Sequence, residues 1–311
     1  MFLTTAAKVL LMVAYGVPGY LLVKTKLLGE KHIKGFAVFL LYACQPALTI
    51  YSLVSVERTP GLIADMGIFF GVTLLGQVII IGLYCLIFRK KLAQAAHRVC
   101  AVAGACGNVG FLGIPLLEQL LPEHPEIIVY SAAFSVSMNI IAWTLGLTLL
   151  TGSRKYISLK ALILNPAAIS FLIAFPLFAF GVKLPEAPVE YLGVLGRMST
   201  VVCMTVLGMR LALKKIVTVF TNARVYAAAA FKLLLFPAAV TLLFLPIRVE
   251  PQVKAAAAIL CACPAAAMIQ SLSETHGGDS ATAADVVLAT NLLCILSIPL
   301  VWTVFNALFG A

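Results

Sequence analysis

The chain has 311 residues, 62% of them hydrophobic and only 11% charged, with a mean hydropathy of +1.07. Charges confined between long apolar runs exclude a soluble globular domain and indicate a polytopic membrane protein. Lys and Arg number 22 against 12 Asp and Glu, a net charge of +10, and the placement of these charges between segments explains the excess without a nucleic-acid partner.

Ten apolar segments follow in order, at roughly 5–23, 35–56, 66–88, 98–121, 127–150, 161–181, 189–212, 224–246, 253–273 and 281–306. The first run continues to Val23 without a small-residue cleavage site, so it is expected to remain as a spanning helix. The loop after segment 1 carries Lys24, Lys26, Lys31 and Lys34. The loop after segment 3 carries Arg89, Lys90, Lys91 and Arg98. After segment 5 come Arg154, Lys155 and Lys160, and after segment 7 come Arg210, Lys214, Lys215 and Arg224. The loops on the other side hold only Arg58, Lys183, Arg248 and Lys254. The richer side is expected to be cytoplasmic, which puts both termini outside an inner or cell membrane.

Segment 4 contains Cys106-Gly-Asn-Val-Gly-Phe-Leu-Gly-Ile-Pro115. Three glycines free the backbone and a proline removes a donor, so a helix here is expected to break near Gly107, Gly110, Gly113 and Pro115. Backbone groups freed at mid-membrane need burial or a wet cavity, and broken helices of this kind are where secondary transporters bind substrate. Segment 9, Ala255-Ala-Ala-Ala-Ile-Leu-Cys-Ala-Cys-Pro264, is a second small-residue helix interrupted by proline. Pro18 and Pro166, and Pro115 and Pro264, fall at nearly the same offset. Gly107 is an alternative counterpart of Pro264. Two halves of five helices, 1–151 and 160–309, necessarily have opposite topology.

Asn108 is a polar side chain in an otherwise self-sealing helix, and either contacts a ligand or bonds the freed backbone. Gln45-Pro46 kinks segment 2 and either lines a site or packs. Asn139 and Asn291 are mid-helix amides, suited to a ligand or to interhelical hydrogen bonds. Gln270 follows the break in segment 9. Lys232 is a Lys deep within segment 8, and is either a functional intramembrane cation or a snorkelling side chain. His276 and Asp279 are too few for a metal site. The eight cysteines form no Cys-x-x-Cys pair and read as packing residues. The chain lacks His-Glu-x-x-His and paired mid-membrane aspartates, so an intramembrane protease is not indicated.

The stretch Asn108–Leu116 resembles the fourth-helix motif of the auxin efflux carrier family, which includes plant auxin carriers and bacterial malate or malonate permease-type transporters. Gln45–Leu53, Asn165-Pro166, Leu207-Gly208, Phe231–Pro237, Cys263–Ala267, Glu274–Asp279 and Ile298-Pro299 resemble further parts of the same family. The resemblance implies an all-α fold of ten transmembrane helices, a five-plus-five inverted repeat with helices 4 and 9 broken and crossing. It implies a dimerising scaffold of helices 1, 2, 6 and 7, and a transport domain of helices 3–5 and 8–10. It implies secondary transport of a small organic anion by alternating access; no cofactor and no enzymatic step are expected. The substrate would meet Asn108 and its neighbours Gly107, Val109 and Gly110, together with Pro264, Ala265 and Met268. Gln45, Pro46, Asn139, Gln270, Asn291 and Lys232 are further candidates. Met268 stands where relatives often have asparagine, and Val201 where they often have proline. The first suggests a less polar ligand, and is the support for a rival reading as a ligand-gated channel or sensor.

Overall fold

The computed structural model describes residues 1–153, 155 and 159–309; Arg154, counted above among the loop charges, lies outside them. The described chain is helical, with a single isolated antiparallel bridge. Among the described residues, seven helices are long and apolar enough to cross a membrane: α1 (Phe2–Lys24), α2 (Glu30–Val54), α3 (Leu62–Ile87), α6 (Pro125–Thr151), α8 (Glu186–Leu213), α9 (Ala223–Phe244) and α12 (Ser280–Phe309). Between them lie shorter helices: α4 (Ala95–Ala103), α5 (Val109–Leu120), α7 (Pro166–Ala179), α10 (Pro251–Ala262) and α11 (Met268–His276). Expected segments 4 and 9 are thus each two helices, α4 with α5 and α10 with α11.

Three prolines explain a local feature. The backbone widens into a π turn at Leu40–Cys44, Val109–Gly113 and Phe231–Leu235. Pro46, Pro115 and Pro237 follow as the second residue of the next α-helical stretch. Proline clashes with the carbonyl four residues back and offers no N–H; a π turn absorbs both defects without ending the helix. Pro115 therefore does not break its helix, contrary to the expectation from sequence. Gly110 and Gly113 lie in the π turn, past the interruption.

α8 packs closely on α1 and α2, and α7 packs on α2. A Cβ on Gly208 would lie 1.8 Å from the Gly16 carbonyl oxygen, and one on Gly196 would lie 2.8 Å from the Leu48 Cα. Small residues bring these backbones together where lipid supplies no hydrophobic drive. A second group of helices packs as α3 on α6, α9 on α10 and α10 on α12. All eight cysteines are free thiols, seven of them buried. Outside the helices, the exposed pair Lys183–Glu57, at 2.9 Å, holds the Glu57 carboxyl below its usual range, first through the hydrogen bond and then through the lysine's charge.

Candidate transport site

The two interruptions meet. Cys263 precedes Pro264 and adopts an extended conformation, φ −57° and ψ 145°, as a residue before proline prefers, and this ends α10. α4 ends without a proline, at Gly104 and ahead of Gly107. Gly107 then pairs with Ala265 in the antiparallel bridge. The Asn108 amide donates to the Pro264 carbonyl at 2.7 Å, and the Ala266 amide donates to the Cys106 carbonyl at 3.1 Å. The freed main-chain groups thus satisfy each other reciprocally, as burial demands. The Ala265 amide donates to Thr290 Oγ1 at 3.1 Å.

The stub ends are capped. Lys232 is fully buried, and its ammonium donates to the Cys261 carbonyl at 2.6 Å, in the last turn of α10. It also lies 4.7 Å from the Phe236 ring centroid. The main-chain amide of Cys263 donates to the Leu260 carbonyl at 3.3 Å, and its thiol to the Ile259 carbonyl at 3.5 Å. A cation at a helix C-terminus meets the partial negative charge of unsatisfied carbonyls. On α5, the Ser131 hydroxyl donates to the Val109 carbonyl at 3.0 Å, and the Thr200 hydroxyl to the Phe111 carbonyl at 2.6 Å.

Beside the crossing lies a cavity of about 470 Å³. Of the residues singled out from sequence, Gly107, Asn108, Val109, Gly110, Ala265, Met268, Gln45, Asn139, Gln270 and Asn291 line it. Pro46, Pro264 and Lys232 do not; Gly113 packs instead toward α10, with Leu260 and Cys263 as neighbours. Asn108 is 6% exposed, and its amide nitrogen lies 3.8 Å from the Cys203 sulfur. Asn139 donates to the Ser135 carbonyl and Asn291 to the Val287 carbonyl, each at 2.8 Å. Asn291 Oδ1, Trp143 Nε1 and Arg210 Nη1 are buried without a hydrogen-bond partner, and their residues all line the cavity. Asp279 is a helix cap, accepting from the Thr282 amide and hydroxyl at 2.9 Å each.

A family model described as "Membrane transport protein" matches residues 1–161 and 155–302. The chain belongs to this family, that of the auxin efflux carriers. It is 26% identical over 238 residues to the "Uncharacterized transporter YfdV" of Escherichia coli (strain K12), covering 72% of this chain and 73% of that protein. The YfdV transporters of Escherichia coli O157:H7 and Shigella flexneri match equally. The carrier is thus a multi-pass membrane transporter. Sequence reasoning did not single out Arg210 and Trp143 as cavity residues. Arg210 was counted among loop charges, although segment 7 already extended to residue 212; a cation inside a segment was the available signal.

Proposed function

We propose that this carrier moves a small organic anion across the cytoplasmic membrane by alternating access, without an enzymatic step. The observation that carries the reading is the reciprocal bonding of the two interruptions at Gly107 and Ala265, beside a cavity that Asn108 enters. α5 and α11 both begin at the crossing, and the positive ends of their dipoles favour negative charge there. Ten crossings in two inverted halves fit the long and short helices described above. The match to the family model, in two stretches meeting near residue 160, also fits two halves.

In this reading α1, α2, α7 and α8 form a scaffold, suited to dimerisation, and the remaining helices move against it. The close glycine contacts of α8 with α1 and α2 support a rigid frame. The cavity runs from the crossing toward Asn165 and Arg210, at helix ends adjoining basic loops, and toward Thr275 and His276, at the end of α11, whose following turn carries no Lys or Arg. The described state is then inward-facing, with both termini outside. Proteoliposome uptake of labelled malate, malonate and indole-3-acetate tests the proposal. Saturable uptake accelerated by unlabelled anion on the far side is expected, and Asn108→Ala abolishes it. Non-saturable flux, or binding with no flux, overturns the carrier reading in favour of a channel or a sensor.

A further inference from the structure

Arg210 stands in the last turn of α8, its side chain 19% exposed. It lies seven residues beyond Cys203, the neighbour of Asn108, which is about 10 Å along the helix. Its Nη1 is buried and makes no hydrogen bond; the nearest acid is Glu274, whose Oε1 lies 3.9 Å away. That oxygen already accepts from Gln270 Nε2 at 2.7 Å. The Glu274 side chain is 48% exposed. A guanidinium with one buried, unbonded nitrogen is thus held by a long contact to a carboxylate that has another partner and access to solvent. Trp143 Nε1 is a second buried donor in the same cavity without a partner. Unsatisfied buried donors are costly, and a planar guanidinium matches a carboxylate bidentately.

We infer that Arg210 is the receptor for a carboxylate of the transported anion, and that Glu274 is a built-in competitor which the substrate displaces. The inference rests on the anion-carrier reading and specifies its substrate as a carboxylate on a largely apolar body, since Leu, Ala, Met and Phe make up much of the wall. Displacement costs little at Glu274, because the released carboxylate keeps Gln270 and meets water. Arg210 exchanges a long contact for a short charge-assisted pair. Glu274 lies on α11 and Arg210 on α8, so on the carrier reading the Arg210–Glu274 contact ties scaffold to moving helices. A bound substrate carboxylate unties them.

The test uses the detergent-purified full chain with malonate, malate and indole-3-acetate as probes, each beside its uncharged amide. Binding is read by scintillation proximity or by displacement of a labelled probe. At least one carboxylate is expected to bind and its amide to fail. Arg210→Gln weakens that carboxylate about 30-fold or more, and Arg210→Lys recovers part of the loss. Glu274→Gln tightens it several-fold, because the competitor is gone. Monodispersity and thermal midpoint of each variant confirm folding, and the Glu274→Gln arm stands even if Arg210→Gln misfolds. Unchanged affinity in Arg210→Gln, or a loss in Glu274→Gln equal to that in Arg210→Gln, overturns the inference and leaves the carrier reading intact. Failure of every carboxylate to bind the natural protein overturns both.

Discussion

At Lys232 a fully buried ammonium finds a main-chain carbonyl rather than a carboxylate or a ligand. Depth in a segment was legible from sequence, since Lys232 stands amid Phe231, Leu233 and Leu234. Its partner was not, because Cys261 belongs to another helix and became available only where α10 stops. The lysine therefore stabilises the interruption from behind, against Gly107, where a Cβ would come within 3.2 Å of Nζ. Lys232→Met removes the donor and strands the Cys261 carbonyl, at a cost of about 1–3 kcal/mol. A lowered thermal midpoint in detergent, with probe affinity changed less than in Arg210→Gln, is the expected result. Unchanged melting with lost binding would instead put Lys232 in the ligand's path. Arg210 shows the opposite failure of inference. Its charge was visible, but proximity to a basic loop made it look like an orientation signal rather than a cavity wall.

At the level of helices, the position of each break depends on which residue can leave the α conformation. Pro264 acts through Cys263, and that interruption was legible because a residue before proline avoids the helical region. Pro115 looked equivalent and is not, since a π turn ahead of it accommodates the ring and the helix runs on to Leu120. Of the four residues expected to break segment 4, Gly107 lies in the interruption at Gly104–Asn108, whereas Gly110, Gly113 and Pro115 belong to the helix that follows it. The expected segment ends otherwise fall within a few residues of the helices, because apolar length is the dominant signal. Close helix packing gives a separate test. Gly208→Ala drives a methyl group onto the Gly16 carbonyl, a backbone atom that cannot rotate away. The helices α1 and α8 must separate, costing about 1–3 kcal/mol or more. Thermal unfolding of Gly208→Ala should show a clear fall. Gly35→Ala, which meets nothing within 4 Å, should melt like the natural protein.

Across the whole molecule, the charge layout and the direction of the cavity can be checked against each other. By their charge the basic loops are expected on the cytoplasmic side. Independently, the cavity extends from the crossing to Thr275 and His276, beyond which the chain turns at Gly277 into α12. Lys214, the residue just past the end of α8, pairs with Asp285 on α12 near this same end, so two ion pairs join the end of α8 to α11 and α12 there. On the proposed alternating-access cycle these ion pairs part when the helices separate, and so favour the state described. Thr275 is exposed and lines the cavity, whereas Val182 is exposed in the turn between α7 and α8, at the opposite end of α8 from Arg210. Thr275→Cys should react with a membrane-impermeant maleimide in inside-out vesicles and not in right-side-out ones, and Val182→Cys should do the reverse. Seven of the eight native thiols are buried, so their background labelling is low. Saturating carboxylate should change the Thr275→Cys rate and leave Val182→Cys unchanged, because in the proposed carrier only the first site lies on the moving helices. Equal labelling of Thr275→Cys from both sides would mean a continuous pore, and alternating access would fail.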